Sequence, residues 1–211
     1  MDYKITYLKL RLKPYEPVNR EEFYRAILTA LGLKHKEHKF VNSGKSKHFF
    51  STAYYKGVYI KLPYYETMSE GFLVEITEEG LETVSHMGTN GTLIENLCDL
   101  FLLLCDLKFQ RIDIDSHYIP NHIQSIIHKV GKCCCCQIGG RGSSVQGLYY
   151  DNKFTYSARH RAAEVIIEDL LCNDSETFAI SFKDFVDNWK PKNFSSYCHL
   201  NIGASPALRN Q

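Results

Sequence analysis

Hydrophobic and polar positions alternate with period two along much of this chain, and fall into a helical period in only a few places. Residues Tyr3–Leu12 alternate until Pro14 and Pro17 stop the run, which predicts a first strand. Asn19 followed by Glu22 makes an N-cap with a reciprocal partner, and Phe23, Ile27, Ala30 and Leu31 then share one helical face up to Gly32. Three further strands are predicted over His48–Tyr54, Val58–Pro63 and Phe72–Thr77. In the last, Phe72, Val74 and Ile76 lie on one face and Glu75 on the other, the pattern of an antiparallel sheet with one wet side.

The second half repeats these signals less clearly. Thr92 and Glu95 fit a capping box, followed by Leu93, Leu97, Leu100 and Leu104 at helical spacing. The sequence RIDID at 111–115 reads as a strand, and Pro120 opens a short helix carrying Ile123, Ile126 and Ile127. CCCCQI and a GGRGSS turn lead to a strand near Val145–Tyr150. The central VII of HRAAEVIIEDL favours strand over helix, and a capped helix is expected from about Ser181. The order β-α-β-β-β-α-β-α-β-β-α predicts an α+β fold, a mostly antiparallel sheet with helices packed on one face. No internal repeat and no linker is visible, so residues 1–211 are expected to form a single domain with a loose tail from about 195 to 211.

Composition narrows the setting. At 44% hydrophobic and 23% charged residues, the chain reads as a soluble globular protein. The first 14 residues alternate and so do not resemble a signal peptide, and the longest apolar run, LFLLLC at 100–105, is too short to cross a bilayer. A cytoplasmic protein with no membrane association is expected. The net charge of +1 hides a segregation: residues 1–61 hold 13 Lys/Arg against 5 Asp/Glu, whereas residues 62–106 hold 9 acids and no Lys or Arg. The basic segment could follow a phosphate backbone with its interleaved Tyr and Phe stacking on bases, or it could pair with the acidic segment.

Several chemistries lack support. The run Cys133 to Cys136 has neither disulfide nor zinc spacing, which favours reduced cysteines acting as small core residues. SGKS at 43–46 is no phosphate loop, because Lys39 stands where the first glycine is required. His117, His122 and His128 form no HExxH or HxH pair, and GxSxG is absent. Carboxylates are the better candidates. Asp113 and Asp115 point to the same face of one strand, about 6–7 Å apart. With Glu164 or Glu168 on a neighbouring strand they would form an oxygen-only set suited to Mg²⁺ or Mn²⁺; otherwise they are the solvated face of an ordinary strand.

Taken in order, these segments resemble the replication initiation factor family of rolling-circle plasmids, phages and related mobile elements. The family has an alternating strand ending in a glycine turn, comparable to FLVEITEEGL at 72–81. A helix then precedes a strand of the form R-[ILV]-D-[ILV]-A-x-D, to which RIDID corresponds at Arg111, Asp113 and Asp115. YYDNK at 149–153 is the candidate for a Tyr-x-Lys element, and RAAEVIIE is similar to an Arg-x-Glu strand with one extra residue between Arg161 and Glu164. Asp115 stands where the family has a small residue, and the second aspartate of the pattern is missing. The resemblance implies a DNA-binding initiator that nicks and joins single-stranded or origin-like DNA. Tyr150, or its neighbour Tyr149, would attack a phosphodiester and form a 5′-phosphotyrosine link. Asp113, with Asp115 or Glu164, would hold Mg²⁺ or Mn²⁺; Arg111, Arg159 and Arg161, joined by Arg141 and Lys153, would contact the nucleic acid. Two non-catalytic alternatives stand beside it: a nucleic-acid-binding module, and a mobile-element protein that binds or inhibits a host protein through its acidic segment.

Overall fold

The computed structural model describes residues 2–34, 38–42, 46–130, 135–139, 143–150, 153–191 and 194–196. These residues form ten strands and six α-helices, in the order β1 (Tyr3–Pro14), α1 (Arg20–Ala30), β2 (Lys39–Asn42), β3 (Phe49–Tyr55), β4 (Val58–Pro63), β5 (Phe72–Ile76), α2 (Glu78–Thr83), α3 (Asn90–Phe101), β6 (Cys105–Ser116), α4 (Asn121–Val130), β7 (Cys135–Ile138), β8 (Val145–Tyr150), β9 (Lys153–Arg159), α5 (Arg161–Cys172), α6 (Ser175–Asn188) and β10 (Phe194–Ser196). The strands form one antiparallel sheet ordered β10-β7-β8-β9-β6-β1-β5-β4-β3-β2. The fold is α+β, with the helices covering one sheet face.

Alternation decides which residues enter the core. Leu8, Leu10, Leu12, Ile112, Ile114, Val74 and Ile60 point into the helical layer and are buried in one continuous cluster. There they meet Phe23 and Ile27 of α1, Leu93 and Leu97 of α3, Ile166 and Ile167 of α5, and Phe178 and Phe182 of α6. The intervening residues of the same strands lie on the opposite face, which no helical layer among the described residues covers. No helix among the described residues is long and apolar enough to cross a membrane.

The sheet has an internal two-fold that the sequence does not display. Four strands run β1-β5-β4-β3 and four run β6-β9-β8-β7, meeting where β1 pairs with β6. The axis passes through the pair Leu8↔Ile112, since Tyr7↔Asp113 and Lys9↔Arg111 exchange across it. Even the irregularities match: one extra residue bulges from each strand, Thr6 in β1 and Gln110 in β6. The bond from Thr77 N–H to the Gly57 carbonyl has its twin in that from Arg159 N–H to the Ser144 carbonyl. Each half adds an edge strand, β2 or β10.

Three sequence expectations change. HRAAEVIIEDL is helix α5 rather than a strand, because Ala163, Ile166, Ile167 and Leu170 fall on one helical face and bury against the sheet. The packing of that face overrides the β preference of Val-Ile-Ile. The Thr92–Glu95 capping box does not form: α3 begins earlier, behind Thr89, and Leu100 and Leu104 are exposed. Helix α6 begins at Ser175, capped by the Asp174 carboxylate accepting from the Thr177 N–H, six residues before the expected start. The GGRG turn beyond Gly139, including Arg141, lies outside the described residues, as do Cys133, Cys134, Asp151, Asn152 and the tail from 197.

Candidate nucleic-acid interface

The uncovered face of the sheet is where the RIDID side chains emerge. Arg111 and Asp113, two apart on β6, share that face by strand geometry. The guanidinium of Arg111 donates through Nε to Asp113 Oδ1 and through Nη2 to Oδ2, both at 2.7 Å. Ser157 of β9, directly opposite, donates its hydroxyl to Asp113 Oδ1 at 2.7 Å and accepts from Arg111 Nη2 at 3.2 Å. The Arg111 guanidinium also lies over the Tyr7 ring, 4.8 Å from its centroid. Asp113 is only 7% exposed, so both oxygens are committed inside a closed fork of charge-assisted bonds. Burial works against the Arg111 cation, but the bonds and charge of Asp113 outweigh it and raise its pKa.

Arg159 stands directly across from Arg111 in the β6–β9 register. Burial first, and then the neighbouring Arg111 charge, lower its pKa below the ordinary arginine value. Its Nε is buried with no hydrogen-bond partner among the described residues. Asp113 bonds to Arg111 and acts on Arg159 through its charge.

A second cluster lies on the other half-sheet. Glu75 of β5 bridges Lys9 at 3.1 Å and Lys61 at 3.0 Å. Burial alone would raise the Glu75 pKa, yet the two lysines hold it below the usual carboxylate range. Lys4 with Glu78 and Arg11 with Glu70 complete the pairing between the basic and acidic segments. Folding therefore pairs part of the segregated charge, joining four cations of residues 1–61 to three acids of residues 62–106 among the described residues.

These clusters belong to one row running perpendicular to the strands. Cross-strand register places Lys39 of β2 opposite Tyr54 of β3, Tyr54 opposite Tyr59 of β4, and Tyr59 opposite Glu75. Glu75 then faces Lys9, Lys9 faces Arg111, and Arg111 faces Arg159. The row crosses roughly 29 Å at the 4.7–4.9 Å spacing of neighbouring strands.

The other sequence candidates are dispersed. Asp115 does share the face of Asp113, but its Oδ1 accepts from Thr155 at 2.7 Å and Thr6 at 3.4 Å. Glu164 and Glu168 are exposed on α5, in the helical layer, because the strand expected to carry them is a helix. Arg161 is exposed at the start of the same helix. The expected convergence of a third carboxylate on Asp113 and Asp115 does not form, and no group of three or more His, Cys, Asp or Glu suited to a metal occurs among the described residues. Tyr149 turns to the helical layer and packs against the core, whereas Tyr150 is 54% exposed on the open face, opposite the exposed Lys153. Counted along the register, Tyr150 lies about 16 Å from Asp113, two strands across and four residues along.

Sequence reasoning missed Ser157 and the partnership of Tyr7, Lys9 and Glu75. A signal for Ser157 was present: in KFTYSAR, Phe154, Tyr156 and Ala158 alternate with Thr155, Ser157 and Arg159 as a strand requires.

No protein-family model matches the chain, and no curated protein does. Among solved structures, it is similar to the rolling circle replication initiator protein from Geobacillus stearothermophilus, with a TM-score of 0.57 and 13% identity over 88% of this chain and 96% of that one. The TBP of Methanococcus jannaschii aligns with a TM-score of 0.42 and 11% identity over 89% and 97% of the two chains. The chain is thus a distant structural relative of a rolling-circle replication initiator, a relationship of fold.

Proposed function

We propose that this protein binds single-stranded DNA across the uncovered face of its sheet, as a replication-initiator-like DNA-binding protein. The observation that carries the reading is the direct opposition of Arg111 and Arg159 around one carboxylate. Like charges opposite one another across strands are destabilising, and a buried donor without a partner costs more. A backbone phosphate would offset both costs, since guanidinium groups donate to it in a planar fork. Asp113 and Ser157 hold Arg111 in place, so Asp113 acts as a positioning residue for the cation.

Fluorescence anisotropy with labelled oligothymidine tests this. Wild-type protein binds at low salt and releases the strand as salt rises; Arg159→Gln weakens binding about 10-fold and lowers the salt slope by about 1. Absence of binding at low salt would sink the reading and favour a protein partner instead.

A nicking activity is a second reading, favoured by the exposure of Tyr150 on the same face. Mg²⁺ or Mn²⁺ is the cofactor this chemistry would call for, at donors beyond the Asp113 fork. Incubating labelled single-stranded DNA with Mn²⁺ and running a denaturing gel checks it: a covalent adduct made by wild type and lost in Tyr150→Phe supports nicking. An adduct that survives Tyr150→Phe removes this tyrosine from the reaction.

A further inference from the structure

Tyr54 and Tyr59 form a ring pair with centroids 4.7 Å apart and planes at 33°, half-exposed on the open face. As a cross-strand pair they contribute to the β3–β4 pairing. By the internal two-fold, Tyr59 corresponds to Gln146, since each lies opposite the strand residue, Glu75 or Ser157, that neighbours the central pair. Tyr54 corresponds likewise to Gly139, the residue after Ile138, because Ala53 pairs with Ile60 as Ile138 pairs with Gly147. The second half-sheet is built without either aromatic ring.

Cations flank the pair on both sides, with the carboxylates of Glu75 and Glu79 also near Tyr59. Lys39, exposed on the edge strand, flanks Tyr54, and the Lys9–Glu75–Lys61 cluster with its surplus cation flanks Tyr59. The same row ends at Arg111 and Arg159. Adjacent aromatic faces with cations to either side along one line suit a ligand that carries both flat rings and anions.

We propose that Tyr54 and Tyr59 are a base-stacking subsite, and that a single nucleic-acid strand lies along this row with unpaired bases on the tyrosines and phosphates on the cations. The proposal rests on the DNA-binding reading above and makes it specific: the ligand must have free base faces, which a duplex keeps stacked. The row is long enough for about four or more nucleotides, the lower end of single-strand site sizes. Stacking on an aromatic side chain tolerates any base, so the subsite selects strandedness rather than sequence.

The test compares three labelled ligands of equal length by anisotropy at low salt: oligothymidine, an abasic strand with the same phosphates, and a blunt duplex. Tyr59→Gln installs the side chain that the fold carries at the twin position, and Tyr59→Phe keeps the ring. Wild type is expected to prefer oligothymidine over both other ligands. Tyr59→Gln and Tyr54→Ala should each weaken oligothymidine binding by about 5- to 100-fold and leave abasic binding unchanged, while Tyr59→Phe binds like wild type. Equal losses on the abasic strand, or no loss on oligothymidine, would overturn the stacking subsite while leaving phosphate binding intact. Wild-type protein that binds none of the three ligands would overturn both readings.

Discussion

At several positions facing the helices the two halves of the sheet carry matching residues; at several on the open side they carry different or oppositely charged ones. Inward, Leu8 corresponds to Ile112, Leu10 to Ile114, Phe72 to Phe154 and Val58 to Val145. Outward, Lys9 corresponds to Asp113, Arg11 to Asp115, Tyr7 to Arg111 and Glu75 to Ser157. Both halves solve the same packing problem, and close-packed interiors tolerate little change in volume or polarity. The open face has no layer to pack against, so its residues answer to electrostatics and ligands. One half carries lysines beside a tilted tyrosine pair, the other a buried arginine–carboxylate fork.

The largest expected effect tests the inward equivalence. Phe72 and Phe154 are both fully buried at twin positions. Replacing either with alanine removes its transfer energy and leaves a cavity, at about 3–5 kcal/mol. Urea denaturation of Phe72→Ala and Phe154→Ala should show similar losses in a single transition. A loss under 1 kcal/mol for one alone, or separate unfolding of one half, would break the comparison.

That equivalence explains what the sequence could and could not reveal. Strand alternation was legible wherever one face was buried and the other wet: β4 was placed to the residue, and β1 and β5 nearly so. The repeat was not legible, because outward positions invert their charge and some inward ones trade volume. Ile60 corresponds to Gly147, where a Cβ would collide with Phe154 and meet Trp189. β9 and its Ser157 lie outside the expected strands, so the bond that anchors Asp113 is not legible from RIDID alone. Helix α5 was hidden by β-branched residues whose helical burial only tertiary packing decides.

The outward difference predicts unequal costs at twin positions. Asp113 is buried with both oxygens bonded, and its removal leaves Arg111 and Arg159 facing each other uncompensated. Asp113→Ala should destabilise the protein by about 3 kcal/mol. Lys9→Ala leaves Glu75 still paired with Lys61 and should cost less than about 1 kcal/mol. Equal losses in thermal or urea unfolding would contradict the division between a rigid fork and a solvated cluster.

Acid separates the halves next. The Glu75 carboxyl titrates below its unfolded value of about 4.3, whereas its twin, Ser157, has no charge to lose. A carboxylate depressed by folding contributes stability that is full above its unfolded pKa and disappears as pH falls through the lower folded pKa. Unfolding midpoints should therefore drop from pH 5 to pH 3, and Glu75→Gln should flatten part of that slope. An unchanged slope in the variant would show that Lys9 and Lys61 do not govern this carboxylate.

The smallest effect falls where the halves agree on the open face. Lys4 and Lys108 are twins across the axis, and each makes an exposed ion pair: Lys4 with Glu78 at 2.7 Å, Lys108 with Asp106 at 3.7 Å. The shorter pair would dominate if distance set the energy. Both lysines are about 60% exposed, however, and solvent screening plus the entropy of pinning a long side chain cancel most of the attraction. Lys4→Ala and Lys108→Ala should each shift stability by less than about 0.5 kcal/mol, and raising the salt should erase any difference between them. A larger, salt-resistant loss for Lys4→Ala alone would mean that its pair with Glu78 anchors α2 to the sheet, extending the asymmetry of the two halves beyond the open face.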